Sequence, residues 1–296
     1  MVKMIQEVLD NILNQHEDWL NGRPGGMRAK LNDSDLSGLI IENKSLKFAE
    51  FQNTKFEGAE LINVNFSHAD LCESEFAGTN IIGCKFEFTN LLRTDFSKSI
   101  IVDTNFSKSN IMGSNFKDAE IKKTMISFSN LFGVNMSGIH IKSSNIESNN
   151  CRLANFSDAE VVNSAFIKCE LSDSNMSGIK LKDTKLSNLH TSGITGQNII
   201  NIMVNLGNKK LDITYWKDLE IWTQGYLQGD LGELQTFLDL VCINDEDMVP
   251  IYNEALELIQ NLARNYNSIN GEKRKLNIIL DNLNNENSED DLNWDI

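Results

Sequence analysis

The chain has 296 residues, a formal net charge of −15 and 41% hydrophobic residues, the composition of a water-soluble globular protein. Nothing in it approaches the run of about 18 apolar residues that a membrane-spanning helix requires, and so acidic a chain is not expected to bind nucleic acid directly. Five cysteines without a CxxC pair and four scattered histidines suggest neither a disulfide framework nor a metal site, so no metal or cofactor is expected.

In chain order, Ile5, Val8, Leu9, Ile12, Leu13, Trp19 and Leu20 recur at helical spacing. They predict a helix that the segment NGRPGG (21–26) ends, giving an N-terminal helical cap over residues 1–28. Glu7, Asp10, Glu17 and Asp18 interrupt the apolar run, so the start lacks the features of a secretory signal and a cytoplasmic location is expected.

From Leu31 the period becomes five. Stepping by five gives Leu36, Ile41, Leu46, Phe51, Phe56, Leu61 and Phe66, and the series runs without insertion to Leu186. All 32 centres are apolar, a regularity that neither a strand period of 2.0 nor a helix period of 3.6 produces. Two residues before the centre, 25 of 32 positions are Ala, Ser, Thr or Cys, which marks a second inward position of restricted size. Immediately before the centre stand mostly Asn, Asp and Glu, as in ADL (69–71), SNF (114–116) and ANF (154–156).

This pattern, over residues of about 29–190, resembles the pentapeptide-repeat family, whose consensus is A(D/N)LXX. The resemblance implies a right-handed quadrilateral β-helix, a β-solenoid in which four pentapeptides make one square coil. The centre and the small residue before it would point inward, and the other three positions would face solvent. The fold expected is therefore a rod of about eight coils over residues 29–195, capped by the N-terminal helix. At a strand-like spacing of ~4.8 Å it would be roughly 38 Å long. The helix ending in WL and the Gly-rich turn before the first repeat also resemble the N-terminal region of bacterial and phage members of the family.

The 20-residue coil makes its own predictions. Centres alternate between aromatic and aliphatic from Phe56 to Ile101, so Phe should stack on two opposite faces. Gly38, Gly58, Gly78, Gly138 and Gly178 fall in one column two residues after a centre, where a corner needs a positive φ. Ile126, Ile146 and Cys151 interrupt the Phe and Leu pattern, with Met125 and Asn149 beside them, and predict a local irregularity of the core.

One corner column is unusual. In FEFTNLL (86–92), Phe86 is a centre and Phe88 falls at the corner, where side chains face water. The same column reads Phe48, His68, Phe88, Lys108 and Phe128. A line of exposed rings suggests a contact surface for the C-terminal region, a second subunit or a partner.

After Leu186 the pattern decays. Residues 196–285 are expected to form an all-α domain with helices over 198–206, 214–228, 231–243, 247–268 and 272–284, containing Cys242 as a buried structural thiol. The end of the chain, 286–296, includes NSEDDLNWDI and is an acidic tail expected to be disordered. Its Leu292, Trp294 and Ile296 are apolar points that a partner's groove could accept.

No P-loop, GxGxxG, GxSxG or HExxH occurs, and a filled solenoid offers no pocket, so an enzyme is not expected. The leading functional expectation is a protein-interaction scaffold whose rod surface and C-terminal domain bind another protein. The family resemblance adds DNA mimicry, since quinolone-resistance members are acidic rods thought to occupy the DNA site of type II topoisomerases. A topoisomerase, or another DNA-binding or defence protein, would then be the partner. Charge limits that alternative: residues 196–296 carry −11 and residues 31–195 only −4, with −6 over 31–80 and +2 over 81–195. Matching one phosphate per ~1.7 Å would take roughly 20 charges. A secreted bacterial effector is a third alternative, and a homodimer is expected from the family's habit of C-terminal dimerisation.

Overall fold

The structure, a computed structural model, describes residues 3–206, 209–225, 227–230, 232–236, 253, 256–257, 260–261 and 276–278. The chain divides into two compact units, residues 1–197 and residues 198–296.

In the first unit a five-residue step leaves space for at most three extended residues before the chain must turn. The strands are accordingly three residues long. β1 (Ile40–Glu42), β2 (Glu60–Ile62), β3 (Asn80–Ile82), β4 (Ile100–Val102), β5 (Glu120–Lys122), β7 (His140–Lys142), β9 (Glu160–Val162) and β11 (Lys180–Lys182) form one eight-stranded parallel sheet. Its register shifts by one coil per strand, from Ile41↔Leu61 to Val161↔Leu181. A second sheet of four strands, β6 (Met125–Ser127), β8 (Asn145–Glu147), β10 (Ala165–Ile167) and β12 (Lys185–Ser187), covers another side. The solenoid makes about seven turns, slightly fewer than the eight coils expected. Eight rungs enclose only seven complete turns, and the outermost rungs have a neighbour on one side alone.

The interior follows the period of five. Phe56, Phe76, Phe96 and Phe116 stack with ring centroids 4.5–4.9 Å apart. Phe66, Phe86 and Phe106 form the opposite column at 4.8–5.1 Å, and the two columns meet edge-on, as between Phe86 and Phe96 at 6.2 Å. Offset and edge-to-face contacts satisfy the ring quadrupoles while filling a narrow square. Where Ile126 follows Phe106 the ring stack stops. That side changes there from tight turns to the strands of the second sheet, which places the expected irregularity.

The small residues before the centres do more than save space. The hydroxyls of Thr54, Ser74, Thr79, Thr89, Thr94, Ser114 and Ser129 each donate to the carbonyl of a centre one coil earlier, at 2.6–3.0 Å. Buried Asn149 does the same with its amide, donating to the Ile126 carbonyl and accepting from the Ser129 N–H. Most of these carbonyls already accept a backbone N–H from three residues on, so the hydroxyl adds a second bond, worth about 0.5–1.5 kcal/mol, that Ala would not make.

The N-terminal helix, α1 (Gln6–Leu20), buries Leu9, Leu13 and His16. It supplies the hydrogen bonds that a coil beneath the first would have made. The Gln6 side chain donates to the Ile40 carbonyl and accepts the Ile40 N–H, at 2.8 and 3.0 Å, as a strand would. The Met4 N–H donates to the Asp35 carbonyl, and the Ala29 N–H donates to His16 Nδ1 at 3.1 Å. An open sheet edge is thereby closed.

The second unit corrects the expected all-α domain. β13 (Ile199–Leu206) and β14 (Lys209–Trp216) pair antiparallel along their whole length. β15 (Ile221–Gln224) and β16 (Leu227–Gly229) extend the sheet, and β17 (Leu276–Ile278) lies parallel to β13 on its other side. The segments expected as helices at 198–206 and 214–228 are thus mainly strands, with one 3-10 turn at Lys217–Leu219. The reason is composition: IINIMV and DITYW are rich in β-branched and aromatic residues, which favour strands. Asn198 closes the hairpin, donating its N–H and side-chain amide to the Asp218 carboxylate at 2.7 and 2.9 Å. Strand also replaces the expected helix at 276–278.

Helix does occur at 232–236, entered through a capping box in which Asp230 and Glu233 exchange side-chain and backbone bonds at 2.9 Å. Within the expected helix 247–268, the described positions 253, 256, 257, 260 and 261 are helical. Cys242 and the acidic tail lie outside the described residues.

Candidate protein-docking surface

Every corner of the solenoid turns through a residue with positive φ, two positions after a centre. Gly38, Gly58, Gly78, Gly138 and Gly178 occupy it at φ 63–70°, as their spacing predicts. Most other occupants are Asn, Asp, Lys or Ser. The column that begins at Phe48 differs, placing Phe48, Phe88 and Phe128 at φ 64°, 58° and 55°. A bulky residue in this left-handed region costs roughly 1–2 kcal/mol relative to Gly.

The structure stacks the first four of these corner residues, and Phe128 continues the column one coil further. The His68 ring lies between Phe48 and Phe88, with centroids 5.0 and 4.9 Å away and nearly parallel planes. Lys108 Nζ sits 5.0 Å from the centroid of Phe88, a cation–π contact. Phe48, Phe88 and Phe128 remain 43%, 50% and 63% exposed. At the N-terminal end, Arg28 donates to the Phe48 carbonyl and pairs with Glu50 at 3.0 Å. The result is an aromatic edge with cationic groups along it. Leu292, Trp294 and Ile296 lie outside the described residues.

A further apolar column, which the sequence reading passed over, follows on the next side. Leu92, Met112 and Phe132 stand one residue after successive centres, with Met112 exposed and the others half-buried. Their spacing of 20 residues was the available signal.

Two thiols of the solenoid, Cys84 and Cys151, are set up as packing groups. Burial pushes Cys84 up to about 11, and the bond that Cys151 donates to Cys169, together with burial, raises Cys151 well above the ordinary thiol range. Protonated buried thiols of this kind are poor nucleophiles.

Pentapeptide repeats match the chain in eight copies, over residues 29–67, 49–87, 79–118, 99–138 and 150–188. Similar solved structures include HetL, a pentapeptide-repeat protein involved in heterocyst differentiation regulation in the cyanobacterium Nostoc sp. strain PCC 7120. It is 15% identical, with 66% of this chain and 93% of that one covered and a TM-score of 0.31. QnrB1, a plasmid-mediated fluoroquinolone resistance protein, in a trypsin-treated variant form, is 20% identical over 55% of this chain and 91% of its own, with a TM-score of 0.39. A thylakoid-lumen pentapeptide-repeat protein of Arabidopsis thaliana is 19% identical over 45% and 68%, with a TM-score of 0.21. The comparison with curated proteins gives no match. Repeat period, square coil and matched profile agree: the chain belongs to the pentapeptide-repeat family.

Proposed function

We propose that the protein is a non-enzymatic scaffold that binds another protein through the aromatic corner of its solenoid. The observation that carries this reading is the retention of Phe48, Phe88 and Phe128 at exposed, left-handed corners where Gly or Asn would be easier to accommodate. Backbone strain kept at an exposed position is a mark of function. Aromatic side chains presented on a rigid surface are also enriched in protein interfaces. His68, Lys108 and Arg28 along the same edge favour a partner surface that is apolar with an acidic fringe.

A second reading, partial DNA mimicry directed at a topoisomerase or another DNA-binding protein, draws on the net charge of −6 over residues 31–80. Glu50, Glu73 and Glu75 in this region are already paired with Arg28, Arg93 and Lys55 at 3.0–3.3 Å. Pairing reduces the negative field available to imitate phosphate, so the scaffold reading is preferred.

The test is capture from the native host extract with wild-type protein and with the triple variant Phe48→Ser/Phe88→Ser/Phe128→Ser. A specific partner should be retained by the wild type and lost by the triple variant, with the circular dichroism spectrum unchanged. Equal capture by both proteins contradicts the proposal.

A further inference from the structure

The aromatic corner contains two equivalent positions between Phe rings, and they are filled differently. Phe48, Phe88 and Phe128 recur every second coil, so neighbours in this series stand about 9.6 Å apart, twice the strand spacing. That distance admits one flat ring with a face against each neighbour. Between Phe48 and Phe88 the ring is His68, at 5.0 and 4.9 Å from the two centroids and tilted by only 16° and 3°. Between Phe88 and Phe128 stands Lys108. The backbone gives no reason for the change. Residues 88, 108 and 128 turn at φ 58°, 60° and 55°, and each donates its N–H to the next coil, at 3.2, 2.8 and 3.0 Å.

Lys108 closes the second position only loosely. Lys55, Lys180 and Arg93 pair with Glu75, Glu160 and Glu73 across coils at 2.8–3.3 Å, whereas exposed Lys108 forms no ion pair among the described residues. Its Nζ rests 5.0 Å from the Phe88 centroid, and a cation–π contact at an exposed site is weak. On the far side Phe128 is 63% exposed and stacks on no ring among the described residues. The chain neighbours of the corner are short: Ser107 and Ser127 before it, bonded to each other at 2.7 Å, and Ser109 and Ser129 after it. Glu87 and Glu147, in the column of Ser107, each accept an Asn side-chain amide, at 3.0 and 3.3 Å.

We propose that the position between Phe88 and Phe128 is a subsite for one aromatic side chain of a partner protein, with a carboxylate beside that side chain. The proposal rests on the docking reading above and makes the partner's chemistry specific. The entering ring takes the place that His68 takes between Phe48 and Phe88. Lys108 swings outward to meet the partner's carboxylate, exchanging a weak cation–π contact for an ion pair. An aromatic anchor between two rings held by a rigid coil is the kind of contact that dominates interface energies. A run of nucleic-acid bases fits less well, because the rings of Phe48, His68 and Phe88 are already stacked face to face and leave successive bases a single place to insert.

The test titrates full-length protein with a dye-labelled hexapeptide in which one tryptophan lies between aspartates, read by anisotropy. Replacing the tryptophan by leucine should weaken binding about tenfold or more, the worth of two aromatic face contacts. Proton resonances of the bound tryptophan ring should move upfield, shielded by ring faces on both sides. Lys108→Phe closes the position with a fifth ring and should abolish peptide binding without lowering the thermal midpoint. Lys108→Ala opens it and should bind the peptide equally well with asparagines in place of aspartates, an exchange that weakens binding to the wild type. No binding up to about 1 mM peptide would overturn the proposal. So would binding indifferent to Lys108→Phe, or a thymidine oligonucleotide that binds more tightly than the peptide. A host partner lost from the triple Phe→Ser variant but retained by Lys108→Phe would uphold the docking surface and overturn the subsite.

Discussion

Phe86→Ala is expected to lower the unfolding free energy of the solenoid by ~3–5 kcal/mol, while Phe88→Gly changes it by less than about 1 kcal/mol. Only two residues separate them. Phe86 is fully buried, stacked between Phe66 and Phe106 at 5.1 and 4.8 Å and edge-on to Phe76 and Phe96. Truncation there opens a cavity that a closed square coil has little freedom to collapse. In a solenoid each coil rests only on its neighbours, so the loss is felt by the coils on both sides. Phe88 is half exposed at φ 58°, and Gly relieves its backbone strain while giving up the His68 stack and the Lys108 contact. Two effects of similar size and opposite sign nearly cancel. Denaturant unfolding followed by circular dichroism would measure both differences, and comparable losses at the two positions would contradict the five-residue register.

Detaching the cap is the second large effect. Leu9→Ala with Leu13→Ala removes the two apolar anchors of α1, each worth ~2–5 kcal/mol when fully buried. With the helix released, Ile40 and Ala29 lose their bonds to Gln6 and His16 and the first sheet edge lies open. Light scattering should then show concentration-dependent association beyond that of the wild type. Acid should loosen the same joint. Burial, the largest cause, lowers the His16 pKa from its ordinary 6.5, with the Arg28 charge adding to it and a backbone bond to Lys47 opposing it. The neutral ring is the form that accepts the Ala29 N–H. Its contribution is therefore intact above pH 6.5 and lost as pH falls through the lowered folded value. His16→Gln keeps an acceptor without titrating, and should flatten that part of the stability–pH profile. An identical profile in the variant would remove His16 from the account.

How far these features could be read in advance depended on whether one residue type carried the information. Apolar centres every five residues placed Leu31 to Leu186 inside, and the Gly column identified the corners because positive φ is costly for most other side chains. The same register separated Phe86 from Phe88. The cross-coil bonds of Thr54, Ser74 and their equivalents were hidden, since the hydroxyl's partner lies 23 residues earlier and small size alone already explained the position. His16 was hidden for a similar reason: a lone histidine among helix residues does not announce a buried backbone acceptor. The second unit was misread because apolar residues in IINIMVNL and LDITYW fit a helical stripe as well as a strand over so short a length. There the β-branched and aromatic content should have outweighed spacing. The Leu92–Met112–Phe132 column was available from the period but was masked by the louder Phe column beside it.

The proposed docking surface rests on the claim that the coil turns between Phe86 and Phe88, sending one ring inward and the other to solvent. Native-state thiol labelling of Phe86→Cys and Phe88→Cys, each in a Cys72→Ser background, measures this directly. The account predicts that the thiol at position 88 labels at the rate of an exposed cysteine and that the thiol at position 86 labels only as fast as the solenoid unfolds. Equal labelling at the two positions, or faster labelling at 86, would contradict it.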